Sequence, residues 1–116
     1  VSYTIQALDA FYDAFHSTDY KLRMDVAFSW FLGKNQLSQI MYNPITGGCY
    51  DGLEQRHVNL NQGAESTICY LISRLVIEEN SMAMQKKDIK KKERDVILFS
   101  RFTSVRNYRK IAQNLS

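Results

Sequence analysis

The stretch Tyr42–Thr67, YNPITGGCYDGLEQRHVNLNQGAEST, separates what is helical in this chain from what is not. It holds the single proline, Pro44, and four of the five glycines. Proline fixes one backbone dihedral and glycine permits positive φ, so Asn43-Pro44-Ile45-Thr46-Gly47-Gly48 is a strong turn signal. Short extended arms at 40–42 and 49–50 fit on either side of that turn. Asp51-Gly52 follows, then an irregular polar run to Asn61. Scaffolds bury apolar faces while loops present chemistry, so a polar loop held between apolar segments is the first place to look for function.

Upstream of the loop, Leu8, Phe11 and Phe15 recur at helical spacing, with Asp9 and Asp13 off their stripe, which predicts a helix over 2–16. Ser17, Thr18 and Asp19 are cap formers, so a second helix is predicted to start there. Its apolar face reads as Leu22, Val26, Ser29, Trp30 and Gly33, widened by Ala27, Phe28 and Phe31, and Gly33 suits the left-handed residue that ends a helix. So short a polar link predicts an antiparallel hairpin. Downstream, a third helix is predicted from Gln62, with Asn61 as its N-cap. Ala64, Ile68, Leu71, Ile72, Leu75, Val76 and Met82 form its wide apolar stripe.

The run Lys86–Arg94, KKDIKKKER, suits a solvated helix extension or a linker. Leu98, Phe102, Val105, Tyr108, Ala112 and Leu115 then follow helical spacing and predict a final amphipathic helix. The expected fold class is all-α: antiparallel helical hairpins, with a glycine-rich loop or short β-hairpin between the second and third helices. Residues 1–85 form the helical part and residues 86–116 a basic tail.

A chain of 116 residues suits one domain or part of one, and 45% hydrophobic content is enough for a core. No apolar run reaches the length needed to cross a bilayer. Cys49 and Cys69 are too few for a disulfide scaffold, and no Cys-x-x-Cys or Cys/His cluster has zinc spacing. Two reduced thiols in a cytoplasmic protein are expected, with a single bridge between them as the alternative. No metal and no cofactor are expected. The chain begins at Val1, so the natural N-terminus is expected to be missing, and targeting is not legible. The net charge of +3 is unevenly spread. Residues 1–85 carry five Lys/Arg against nine Asp/Glu, a balance of −4, whereas residues 86–116 carry ten against three, a balance of +7. Basic character therefore belongs to the tail and says nothing of the body's ligand. Without interleaved aromatics or a recognisable binding module, a solvated face is the better reading of the tail than a nucleic-acid contact.

Asp51, Glu54 and Glu65 are the acid/base candidates. Cleavage of a glycosidic bond needs one protonated and one ionised carboxyl group flanking the scissile atom. Asp51 follows a glycine turn and Glu65 opens a helix, so Asp51 and Glu65 could reach one cavity as a catalytic pair. Capping competes for both residues, and on spacing alone it is the stronger reading for each. Asn59, Asn61 and Gln62 offer donors and acceptors that match sugar hydroxyls, and loop hydrogen bonding is the alternative. Tyr42, Tyr50 and Trp30 could stack on a pyranose ring, with Trp30 better placed in the core. His57 is a proton shuttle or a plain surface residue. Cys49 reads as a small buried thiol beside two glycines, since no cysteine-enzyme motif surrounds it.

Three segments together carry a resemblance: Trp30-Phe31-Leu32-Gly33-Lys34-Asn35, then Tyr42 to Leu53 with its Gly-Gly-Cys-Tyr-Asp-Gly-Leu, then Val58 to Thr67 with its Asn-Gln-Gly-Ala-Glu-Ser-Thr. The pattern resembles the C-terminal part of the (α/α)-toroid, six-hairpin-glycosidase-like domain of bacterial glycosyltransferase-associated proteins. It covers residues 10 to 79, and nothing beyond Lys86 matches. The resemblance implies that Asp51, Asn59, Asn61, Gln62 and Glu65 occupy motif positions at the toroid's open end. It also implies a retaining, nucleotide-sugar-dependent glycosyltransferase domain on the same parent polypeptide. The present chain has no βαβ alternation, so it does not itself carry sugar-nucleotide transfer. A few helices cannot close a toroid, so this piece is expected to need the rest of a parent or a homo-oligomer over its apolar faces.

Two functions are therefore expected to compete. One is a carbohydrate-active module contacting a glycan through residues 42–67, with catalytic Asp51 and Glu65 and with Tyr50, Asn59, Asn61, Gln62 and His57 on the substrate. The other is a non-catalytic scaffold or interaction domain of a larger glycosyltransferase. No nucleic acid and no membrane span are expected in either.

Overall fold

The computed structural model describes residues 1–115; the side chains of Val105, Asn107, Tyr108 and Ile111 lie outside the described residues. The elements are α1 (Ser2–Phe15), α2 (Thr18–Phe28), β1 (Gly52–Leu53), β2 (Val58–Asn59) and α3 (Ala64–Asn114). The fold is mostly helical, with one two-stranded antiparallel sheet inserted between α2 and α3. Contacts divide the chain into two units, Val1–Asn80 and the segment from Ser81 onward. No helix among the described residues is long and apolar enough to cross a membrane.

In the first unit, α1 stops at His16, which turns left-handed (φ 55°) and donates its N–H to Tyr12 O at 2.7 Å. Ser17 is the N-cap of α2, with extended dihedrals but no side-chain capping bond. Phe11 stacks on Tyr20 at 5.7 Å and Lys21 Nζ sits 4.2 Å from the centre of the Tyr12 ring, so α1 folds back on α2 as a hairpin. After Phe28 the backbone tightens into i→i+3 bonds as far as Gly33, whose φ of 103° ends the segment. A side chain at that φ would be strained, and this is why glycine stands there.

The core consists of Ile5, Met24, Phe31, Met41, Cys49 and Tyr70. Complete burial of aliphatic side chains such as Ile5 and Met24 contributes about 1.5–3 kcal/mol each. Tyr70 is the hub: it stacks on Tyr42 at 5.2 Å, stacks on Phe28 at 6.1 Å and meets Phe31 edge-on at 5.4 Å. Polar pins tie α1 and α2 to α3 within the first unit. Ser2 Oγ donates to Cys69 O at 3.0 Å, Asn80 Nδ2 to Asp9 Oδ1 at 2.8 Å, and Lys21 Nζ to Asn80 O at 3.5 Å.

The buried faces of α2 and α3 differ in part from those expected: Ala27, Phe28, Trp30, Phe31 and Val76 pack in the core as the periodicity predicts, and other positions do not. Leu22 (65% exposed) and Val26 (72%) face solvent, whereas Lys21 and Met24 are buried. Lysine can take this place because its aliphatic stem packs inward while its ammonium finds the Tyr12 ring. On α3 the stripe Ile68, Leu71, Ile72 and Leu75 is exposed, and Cys69, Tyr70, Ser73, Val76 and Ile77 turn towards the core. Both helices are apolar on more than one side, so periodicity alone misassigns the packed side.

The start of α3 also departs from expectation. Gly63, not Asn61, occupies the cap position, since Thr67 N donates to Gly63 O at 3.1 Å. In the second unit the run Lys86–Arg94 is helical as part of α3. Val96, Ile97, Leu98, Phe99 and Phe102 are exposed there, and Val105 and Tyr108 of the predicted stripe lie outside the described side chains.

Candidate functional site

The loop between α2 and α3 is built as two successive turns. Asn43 Oδ1 accepts from Ile45 N at 2.9 Å, Asn43 N donates to Gly48 O at 2.8 Å, and Tyr42 bridges Cys49 antiparallel. Gly47, at φ 74°, supplies the left-handed corner that a β-carbon would oppose. In the second turn Gly52 pairs with Asn59 and Leu53 with Val58, which leaves Gln55 and Arg56 at the tip. Thr67 of α3 fastens the first turn to the helix, because its Oγ1 accepts the N–H of buried Cys49 at 3.1 Å.

Asp51 closes the arrangement. Its Oδ1 accepts from Gly63 N at 2.7 Å and from Ser66 Oγ at 2.8 Å, so a carboxylate twelve positions upstream serves as the N-terminal cap of α3. The Gly63 N–H, then the Ser66 hydroxyl and more weakly the Asn61 side chain, stabilise the charged form and hold Asp51 below the ordinary aspartate value. The helix dipole favours a negative group at this end as well. A β-carbon at Gly63 would lie 2.7 Å from Asp51 Oδ1, so glycine is what allows the carboxylate to approach the backbone so closely.

Asp51 and Glu65 both line a cleft of about 360 Å³, with Trp30, Phe31, Tyr50 and Ser66 among its walls. Glu65 forms no hydrogen bond or ion pair among the described residues. Cys49 and Cys69 also reach this cleft, both as free thiols. Burial, reinforced by the charge of Asp51, pushes the Cys49 thiol up to about 11, which leaves it protonated and a poor nucleophile at neutral pH.

Of the other residues expected on the substrate, Tyr50 alone is a wall of this cleft. Asn59 Oδ1 accepts from Asn61 N at 3.1 Å, and Gln62 Oε1 accepts from Thr46 Oγ1 at 2.6 Å, so these side chains bind the loop to itself. None of Asn59, Asn61 and Gln62 lines the carboxylate cleft. His57 is exposed, pairs with Glu54 through Nε2–Oε2 at 2.9 Å, and lines a second, larger cleft of about 740 Å³. Tyr50 is a wall of both clefts.

Sequence reasoning missed Ser66, Thr67 and Arg56. A signal for the first two existed: two hydroxyls in the opening turns of a helix, beside a loop that needs acceptors and donors. Their partners, Asp51 and Cys49, are too distant in sequence to be assigned by spacing. Among the described residues no cluster of His, Cys, Asp and Glu could hold a metal ion. Comparison with protein-family models, with curated proteins and with solved structures returns no match.

Proposed function

We propose that this chain is a carbohydrate-active helical module of the glycosidase-like, glycosyltransferase-associated kind that its motifs resemble, and that it meets a glycan through the Tyr42–Thr67 loop. The observation that carries this reading is the cleft shared by Asp51 and Glu65, walled by Trp30 and Tyr50. Aromatic faces suit the apolar side of a pyranose ring, and carboxylates accept from its hydroxyls. In this reading Asp51, kept ionised by its two donors, is the fixed acceptor. Glu65, unengaged among the described residues, is the carboxyl that exchanges a proton with the substrate. Exposed Ile68, Leu71, Leu75 and Val26 suit a piece seated against the rest of a cytoplasmic parent polypeptide.

One observation favours a second reading, a non-catalytic scaffold or interaction domain of a larger glycosyltransferase. The Asp51 carboxylate is already engaged in holding the start of α3, a purely structural duty. The two readings are separated by titrating neutral oligosaccharides calorimetrically into the full-length parent and its Glu65→Gln variant. A carbohydrate module binds sugar, and the variant weakens binding about tenfold, the loss of one charge-assisted hydrogen bond, with an unchanged melting temperature. Absence of sugar binding, or equal binding by the variant, leaves the scaffold.

A further inference from the structure

The larger cleft, of about 740 Å³, shares Tyr50 with the carboxylate cleft but carries Arg56 and His57 in place of Asp51 and Glu65. Its walls include Gln39, Tyr42, Pro44, Tyr50, Arg56 and His57. Arg56 stands at the tip of the β1–β2 hairpin, fixed by the bond from Glu54 N to His57 O at 2.8 Å. The first unit has two other arginines, and both are paired: Arg23 with Asp19 at 2.7 Å and Arg74 with Glu78 at 2.7 Å. Glu54, the acid nearest Arg56 in sequence, is bound to His57 instead. Arg56 forms no ion pair or hydrogen bond among the described residues, although residues 1–85 carry an excess of acids. A guanidinium that lines a cleft without a carboxylate of its own is a ready receptor for one, because its planar fork matches that group with two parallel bonds.

Two other wall residues are held firmly in place. Tyr42 is braced by its stack on Tyr70, 5.2 Å away with the rings only 9° from parallel. Gln39 belongs to a loop that Asn35 locks from within: Asn35 Nδ2 donates to Trp30 O and Gln39 O, and Asn35 Oδ1 accepts from Leu37 N and Gln39 N. Ser38 sits in that loop at φ 53°, a left-handed conformation that a serine adopts only when its surroundings impose it.

We infer that this second cleft is a sugar subsite selective for an acidic ring, one bearing a carboxylate, which Arg56 receives while Tyr42 and Tyr50 flank the ring. The inference rests on the carbohydrate reading above and names the substrate class: a glycan with a uronate unit next to the residue held at the Asp51–Glu65 cleft. Such a pairing of subsites also places the substrate's negative charge at the cleft lined by Arg56 and not at the one lined by the two carboxylates.

The test is calorimetric titration of the full-length parent with a glucuronate-containing disaccharide, with its neutral glucose counterpart, and with inorganic phosphate. The expected result is about tenfold tighter binding of the uronate than of the neutral sugar, the increment of one bidentate charge-assisted contact. Arg56→Gln should abolish that preference, while Arg56→Lys should retain part of it. Arg56 is exposed at a hairpin tip, so neither variant should alter the melting temperature. Neutral sugar bound as tightly as the uronate, or a preference that survives Arg56→Gln, overturns the acidic subsite and leaves the carbohydrate reading standing. Phosphate bound as tightly as the uronate marks a bare anion site and overturns the inference in the same way. Binding of neither sugar overturns both.

Discussion

Thr67→Val isolates the bond that fastens the loop to α3. Valine keeps the shape and has nearly the same helix propensity, so the substitution removes little besides the hydroxyl. That hydroxyl accepts the Cys49 N–H at 3.1 Å, and Cys49 is only 1% exposed, so water does not replace the lost acceptor. A buried donor left unsatisfied costs about 1–3 kcal/mol. In an 80-residue unit this corresponds to a fall in melting temperature of about 4–8 °C per kcal/mol. Urea unfolding followed through the single tryptophan, Trp30, measures the change directly, because Trp30 packs edge-on against core Phe31 at 5.4 Å. The m-value should stay constant, since the surface exposed on unfolding is the same. Thr67→Ser keeps the acceptor and loses one methyl, so it should cost less than about 1 kcal/mol. The reasoning fails if the valine variant lies within about 0.5 kcal/mol of the parent, or if the serine variant is as damaged as the valine one.

Two further outcomes follow from the titrating groups. Asp51 is held below the ordinary value of 3.8 by the Gly63 N–H and the Ser66 hydroxyl, so its stabilisation is present above that pH and is lost as pH falls through the lowered folded value. Carboxyl NMR should give Asp51 a midpoint below 3.8, and Asp51→Asn should lack this acid-limb loss; a midpoint at or above 3.8 contradicts the capping geometry. Burial pushes Cys49 up to about 11, so at pH 8 a disulfide reagent should modify Cys69 in the folded chain and reach Cys49 only on unfolding. Equal rates at the two thiols in the native protein would contradict that account.

The punctuation of the chain was legible because it is local. A helix over 2–16 became α1 at Ser2–Phe15, the Ser17-Thr18-Asp19 signal became the start of α2, and Gly33 took the positive φ expected of it. Asn43-Pro44 through Gly48 formed its turn, with arms that meet at the Tyr42–Cys49 bridge. Each of these depends on dihedral preferences and hydrogen bonds within a few residues, and such terms are written in the residue types themselves.

Burial was another matter. Leu22 and Ile68 looked like core positions and are exposed, while Lys21 and Tyr70 are buried. A helix with apolar residues on several sides offers more than one face, and which one packs depends on where the neighbouring elements stand. The cap of α3 shows the same limit. Asn61 was the local choice, yet the cap acceptor is Asp51, brought in by the β1–β2 hairpin. Only the folded path places that carboxylate at the helix start, and only the folded path sets Arg56 on a separate cleft. The residue sequence by itself determined where α1 begins and ends, where α2 begins and where the Asn43–Gly48 loop turns, because those choices are settled over one or two turns of chain. The tertiary structure decided which faces are covered and which side chains meet, because contacts between distant residues form only when whole elements pack.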